Sequence, residues 1–114
     1  PKLLSRDSII EPVARLVNLL SQQYSIVYAT GRPDNLRKPT VDWLRTNNLW
    51  FEPKELYMRS KGDTRADFIV KREILYEIRK NGWEPWMTID DRSSVVAMWR
   101  SEGLTCLQVA DGDF

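Results

Sequence analysis

The chain contains no histidine. That excludes histidine general bases, histidine-based triads and zinc sites that depend on imidazole. It has one cysteine, Cys106, so no internal disulfide can form. Its setting in the apolar run Leu104–Val109 predicts a buried, inert thiol in a reducing compartment. No apolar run approaches the roughly 20 residues of a membrane span. No secretory signal is expected. Charge of one sign is also lacking: 17 Lys and Arg against 16 Asp and Glu leave a net charge of +1. No strong general field for nucleic acid or membrane follows, and a polyanion would have to be met by a local cluster.

What is present is enough for one core. The 114 residues are 42% hydrophobic and 29% charged, which fits a single domain. Apolar periodicity marks the elements. Ser8 and Glu11 have capping-box spacing, and Ile9, Val13, Leu16, Val17 and Leu20 make one face of a helix ending near Gln23. Ser25–Ala29 reads as a buried strand that breaks at Thr30-Gly31-Arg32-Pro33-Asp34. Pro39 and Thr40 start a second helix, which gives out at Asn47-Asn48. Glu55–Arg59 is a weaker strand. The polar segment Ser60–Asp67 leads into a helix carrying Ile69, Val70, Ile74, Leu75 and Ile78, stopped at Asn81-Gly82. Trp86–Ile89 is a buried strand ending in Asp90 and Asp91. A helix over Ser93–Ser101 follows, stopped by Gly103, and Leu104–Val109 is the last strand. Helix and strand alternate throughout, which predicts an α/β fold with a parallel sheet.

In such a sheet, ligands bind beyond the carboxyl ends of the strands. Thr30-Gly31-Arg32, the Ser60–Asp67 loop and Asp90-Asp91 are therefore expected on one edge. Thr30 offers a hydroxyl and Gly31 a backbone N–H, both suited to phosphate oxygens. Arg32 is a fork donor matched to phosphate. Lys71 could point an ammonium at the same place, and Asp90 with Asp91 could hold Mg²⁺ through oxygen. A hydroxyl, an arginine, a lysine and a metal are the parts of a phosphoryl-transfer site, where catalysis is mostly electrostatic clamping. Each residue also has a plainer reading. Thr30 can satisfy a turn, Arg32 and Lys71 can face solvent, Thr64 and Asp67 have capping-box spacing, and Asp91 can cap a helix. Trp43, Trp83, Trp86 and Trp99 read as core or core edge.

The order Thr30, Lys71, Asp90-Asp91 resembles the second, third and fourth motifs of the haloacid dehalogenase superfamily of phosphatases. A receiver domain also carries acids, Thr and Lys, but with the acids first and the lysine last. The segments ATGR (Ala29–Arg32), KGDTRAD (Lys61–Asp67), IDDR (Ile89–Arg92), Met98-Trp99-Arg100 and QVADGDF (Gln108–Phe114) narrow the likeness. They resemble the 3′-phosphatase domains of bacteriophage polynucleotide kinase/phosphatases over nearly the whole chain. The resemblance implies a Rossmann-like three-layer sandwich and an Mg²⁺-dependent phosphomonoesterase working through an aspartyl-phosphate. It implies that Thr30 contacts the phosphate, with Gly31 and Arg32 binding substrate, and that Asp67 orders Arg or Lys side chains. Lys71 neutralises phosphate and phosphoaspartate, Asp91 coordinates Mg²⁺, and Asp90 supports the metal through hydrogen bonds or water. Expected partners are a phosphorylated polynucleotide or nucleotide, and an N-terminal kinase domain or a second chain supplying a missing strand. No membrane is expected. The setting implied is the cytoplasm of a phage-infected host and nucleic acid repair.

One departure is large. The family's first motif, Asp-x-Asp-Gly-Thr, supplies the nucleophile and the general acid/base, and it is absent from the 114 residues. Asp7 precedes a helix, and Asp111 and Asp113 lie in the tail. The domain is therefore expected to be incomplete at its N-terminus and inactive by itself. The alternative is a degenerate, non-catalytic module that binds a phosphorylated nucleic-acid end or a protein partner. The strand bearing the first motif is central in the resembled fold. Its absence predicts that the Ser25–Ala29 and Trp86–Ile89 strands pair directly, recruit another strand, or leave the domain marginally stable.

Overall fold

A computed structural model describes residues 11–114. The expected start of the first helix, with Asp7, Ser8 and Ile9, lies outside them. The described elements are α1 (Glu11–Ser21), β1 (Val27–Pro33), a 3₁₀ turn (Asp34–Leu36), α2 (Arg37–Thr46), β2 (Glu55–Arg59), α3 (Asp67–Lys80), β3 (Met87–Asp90), α4 (Ser93–Ser101) and β4 (Thr105–Gln108). The chain clusters into two compact units, divided between Asp63 and Thr64.

Each unit is built on one β-α-β crossover. In the first, β1 and β2 are parallel, with Val27 opposite Glu55 and Thr30 opposite Met58. In the second, β3 and β4 are parallel, from Met87 opposite Thr105 to Asp90 opposite Gln108. The α/β class with parallel strands is the one the alternating pattern predicts. The described strands form two two-stranded sheets, one in each unit.

The apolar spacing explains what is buried. In the first unit Val13, Ala14 and Val17 of α1 are buried, as are Leu44, Leu49 and Leu56. Thr40 is fully buried and donates to the Leu36 carbonyl at 2.8 Å, which satisfies its hydroxyl within the helix. In the second unit Leu75, Val95, Val96, Met98, Trp99, Leu104 and Cys106 make one cluster, with Phe68 against it. Full burial of each aliphatic side chain contributes about 1.5–3 kcal/mol before entropy is counted. The thiol of Cys106 is buried as expected, and burial raises its pKa. The helix stops are also the expected ones. Asn48 follows α2 at φ 56° and Gly103 follows α4 at φ 88°, the left-handed geometry that ends a helix.

Several boundaries differ from the sequence reading. β1 does not break at Thr30 but runs on to Pro33, with an irregular register between Thr30 and Pro33. α2 starts at Arg37 after the 3₁₀ turn, two residues before Pro39. β3 includes Asp90. Trp86 is not a strand core residue: it precedes β3 and is 56% exposed. The two capping readings fail as well. Ala66 and Arg92 hold the cap positions of α3 and α4, and neither helix has a side-chain cap.

Candidate functional site

The second unit builds a buried charged cluster at the carboxyl end of β3. Lys71, on the second turn of α3, is 1% exposed. Its Nζ donates to Asp90 Oδ2 at 3.1 Å. Trp99 of α4 donates its indole N–H to the same oxygen at 3.2 Å. The Asp91 backbone N–H donates to Asp90 Oδ1 at 2.8 Å. A buried ammonium and a buried carboxylate are each costly alone, so both need partners. Burial opposes ionisation of Asp90. The Lys71 charge and the hydrogen bonds from Trp99, Lys71 and Asp91 outweigh it and hold the carboxyl below its ordinary range. Lys71 is thus a core group, contrary to its plainer reading as a solvated lysine.

Asp91 is in the opposite condition. It is 6% exposed, and its carboxylate makes no hydrogen bond or ion pair among the described residues. Its carbonyl is held instead: Gln108 Nε2 donates to it at 3.1 Å and to Ser93 Oγ at 3.1 Å. The tail then crosses the same turn. Ser93 N–H donates to the Gly112 carbonyl at 2.8 Å, and a Cβ at position 112 would lie 1.7 Å from the Asp91 carbonyl oxygen. Only glycine permits that approach. Asp67, the first residue of α3, has its Oδ2 3.5 Å from the Arg92 guanidinium.

The first unit holds the Thr30–Arg32 segment by hydrogen bonds. Thr30 is fully buried, and its Oγ1 accepts from the Arg32 N–H at 3.1 Å. That is the local turn its plainer reading requires, and it leaves the hydroxyl proton to donate elsewhere. Arg59 Nε donates to the Gly31 carbonyl at 2.7 Å, and its NH1 donates to the Asp63 carbonyl at 3.0 Å. The guanidinium therefore stands in for ladder bonds where the register of β1 slips. Arg32 is partly buried.

Of the expected site residues, Asp67, Lys71, Asp90 and Asp91 belong to the second unit, while Thr30, Gly31 and Arg32 belong to the first. Four contributors were not singled out from sequence. They are Trp99 and Arg59, which hold site atoms, and Gln108 and Gly112, which fix the Asp91 turn. The Met98-Trp99-Arg100 and QVADGDF segments, noted only for their resemblance, were the available signal for Trp99, Gly112 and Gln108. Nothing in the sequence marked Arg59.

The donor chemistry fits Mg²⁺. Asp91 presents a partnerless, low-exposure carboxylate, and Mg²⁺ is commonly held by one or two carboxylates with water and phosphate oxygens. No group of three or more His, Cys, Asp or Glu side chains assembles among the described residues. Asp90 has both oxygens engaged and suits a supporting role.

The family model for the polynucleotide kinase PNKP phosphatase domain, a haloacid dehalogenase-type domain, matches residues 2–114. The chain belongs to this family. A chain of the Pnkp1/Rnl/Hen1 RNA repair complex is similar to this phosphatase domain with a TM-score of 0.87 and 35% identity, over 96% of this chain and 35% of that one. A second structure of a Pnkp1/Rnl/Hen1 complex gives 0.86 and 35%, over 96% and 38%. A protein of Autographa californica nuclear polyhedrosis virus, described as a bifunctional polynucleotide kinase/RNA ligase, is 30% identical over 77 residues, 66% of this chain and 11% of that protein. The phosphatase domain thus spans about a third of the solved chains and a ninth of the viral relative. Among its described residues, no helix is long and apolar enough to cross a membrane.

Proposed function

We propose that this domain acts on the 3′-phosphate of a polynucleotide end as the Mg²⁺-dependent half of a phosphomonoesterase. The observation that carries the reading is the pairing of a buried Lys71–Asp90 clamp with the partnerless carboxylate of Asp91 beside it. Lys71 supplies fixed positive charge for a dianionic phosphate. Asp90 holds that ammonium in place at 3.1 Å, and Asp91 together with substrate oxygens would hold the metal. Bound Mg²⁺ supplies further charge neutralisation for the phosphoryl oxygens. Thr30, Gly31 and Arg32 are assigned to the phosphate, Thr30 through its remaining hydroxyl proton and Arg32 through its fork.

Family phosphatases attack with the first aspartate of Asp-x-Asp-Gly-Thr and protonate the leaving group with the second. Neither is among the 114 residues, so both must come from elsewhere for turnover. Repair of nucleic acid ends, with kinase and ligase partners, is the setting that the relatives' descriptions favour. The alternative reading is a non-catalytic module that captures phosphorylated ends, and the two readings differ in turnover when the motif is supplied.

The test is Mg²⁺-dependent binding of matched oligonucleotides ending in 3′-phosphate or 3′-hydroxyl. The phosphorylated end is expected to bind about tenfold or more tightly, with the difference lost in Lys71→Met and Asp91→Asn. Phosphate release by the 114 residues alone is expected to fall far below the roughly 1 per second of ordinary enzymes. Equal affinity for the two ends would overturn the reading, and rapid turnover would overturn the assignment of the nucleophile.

A further inference from the structure

Residues 108–112 strap the turn between β3 and α4. Val109 N–H donates to the Asp90 carbonyl at 3.1 Å, Gln108 Nε2 donates to the Asp91 carbonyl at 3.1 Å, and the Gly112 carbonyl accepts from Ser93 N–H at 2.8 Å. The last of these meets a need of the helix. α4 begins at Ser93, and the first amides of a helix have no partner within it. A carboxylate as near as that of Asp91 is ordinarily drawn to such an amide. Here the Gly112 carbonyl takes the Ser93 amide, and α4 has no side-chain cap. Gln108 also donates to Ser93 Oγ at 3.1 Å, which engages the neighbouring hydroxyl. Asp91 is left buried, with its carboxylate unpartnered among the described residues.

We infer that Gln108 and Gly112 are positioning residues for the metal: the strap satisfies the start of α4 in place of Asp91 and so keeps the Asp91 carboxylate free for Mg²⁺. This rests on the function proposed above and adds two uncharged residues to that site. Gly112 sets how near the strap comes. A Cβ there would lie 1.7 Å from the Asp91 carbonyl oxygen and 2.9 Å from the Arg92 Cα, so alanine must push the strap away. The Ser93 amide is then released, and the buried Asp91 carboxylate gains by turning to it. A carboxylate committed to a helix start has to leave that bond before it can take a metal. Partners that orient a metal ligand are commonly worth about ten- to hundredfold in metal affinity.

The test measures binding of a 3′-phosphorylated oligonucleotide against Mg²⁺ concentration, and binding of Mn²⁺ alone by electron paramagnetic resonance. The proteins are the wild-type chain, Gln108→Leu, Gly112→Ala, Asp91→Asn and each strap change combined with Asp91→Asn, all checked for fold by circular dichroism. Gly112→Ala should raise the Mg²⁺ midpoint about tenfold or more and weaken Mn²⁺ to match. Gln108→Leu should move both the same way by about threefold, because Gly112 still holds the Ser93 amide. Oligonucleotide affinity without Mg²⁺ should change by less than about twofold in either. With Asp91→Asn present, neither strap change should weaken the oligonucleotide further, since the carboxylate it frees is gone. Should Gly112→Ala not fold, Gln108→Leu, at an exposed position, decides the question. A strap that served folding alone would lower affinity equally at every Mg²⁺ concentration and leave the midpoint in place, which would overturn the inference. Losses that add to that of Asp91→Asn would overturn it too. Unmoved midpoints in a chain that still prefers the 3′-phosphate would end the inference and leave the phosphatase reading standing. Failure of the wild-type chain to prefer the 3′-phosphate would overturn that reading, and the Mn²⁺ shifts would still decide the strap.

Discussion

The two units carry comparable crossovers but hold their functional residues by different physics. In the first, Thr30, Gly31 and Arg59 are tied by hydrogen bonds to backbone atoms. In the second, a buried lysine and a buried carboxylate are each other's main partner, with an indole and a backbone N–H completing the set. Hydrogen bonds to backbone atoms can be lost one at a time for about 1 kcal/mol each. A buried ion pair fails as a unit, because losing one member leaves the other charged and unpaired. The second unit should therefore be the more brittle of the two.

The largest expected effect is at Lys71. Lys71→Met leaves Asp90 buried without its counter-charge and should cost about 3–5 kcal/mol, measured by urea unfolding. Adding Asp90→Leu should recover part of that loss, since an apolar pair of similar volume is often no less stable. A loss below about 1 kcal/mol for the single change would remove the contrast between the units.

Acid should act on the same cluster. The Asp90 carboxyl titrates below its unfolded value of 3.8 in the folded chain. A carboxylate with a depressed pKa contributes stability that is fully present above the unfolded value and is lost as pH falls through the folded one. Amide exchange followed as pH falls below 3.8 should thus show β3 and α4 losing protection before β1 and β2. The reverse order would contradict the assignment of brittleness.

Arg59→Met should cost less, about 1–3 kcal/mol, by removing donors from the Gly31 and Asp63 carbonyls. Its local signature should be faster exchange at Gly31 and Arg32. The smallest effect is expected at Arg65→Ala. That ion pair with Glu73 is bidentate at 2.7 Å, yet its side chains are 47% and 57% exposed. Water and salt screen it, so at most about 1 kcal/mol should change.

The comparison also separates what sequence could convey from what it could not. Apolar spacing located every described α-helix and strand but not the 3₁₀ turn at Asp34–Leu36, because burial of one face is a periodic property. Glu55–Arg59 came out with its observed bounds even as a weak strand. The acidic pair at a strand end was legible because adjacency in the chain made it so. The Lys71–Asp90 ion pair joins residues 19 apart, and Trp99 reaches Asp90 from another helix, so geometry was needed to find the clamp. Periodicity misjudged Trp86, since an apolar run does not say where its strand leaves the core. It also missed that β1 continues through Thr30-Gly31-Arg32, where a side chain on the neighbouring strand replaces the regular ladder.

The separate parallel pairs have a kinetic consequence. Pairing of β1 with β2 joins positions about 28 residues apart and pairing of β3 with β4 joins positions about 18 apart, so closing the second loop costs about 0.4 kcal/mol less entropy. Neither pairing waits on a strand from the other unit. Contacts this local favour fast formation, and each crossover can assemble in turn as the chain leaves the ribosome, first unit first. In refolding from denaturant the whole chain is present at once, and the shorter loop gives the second unit the entropic lead. Pulse-labelled amide exchange during refolding should then protect Thr88 and Ile89 ahead of Tyr28 and Ala29.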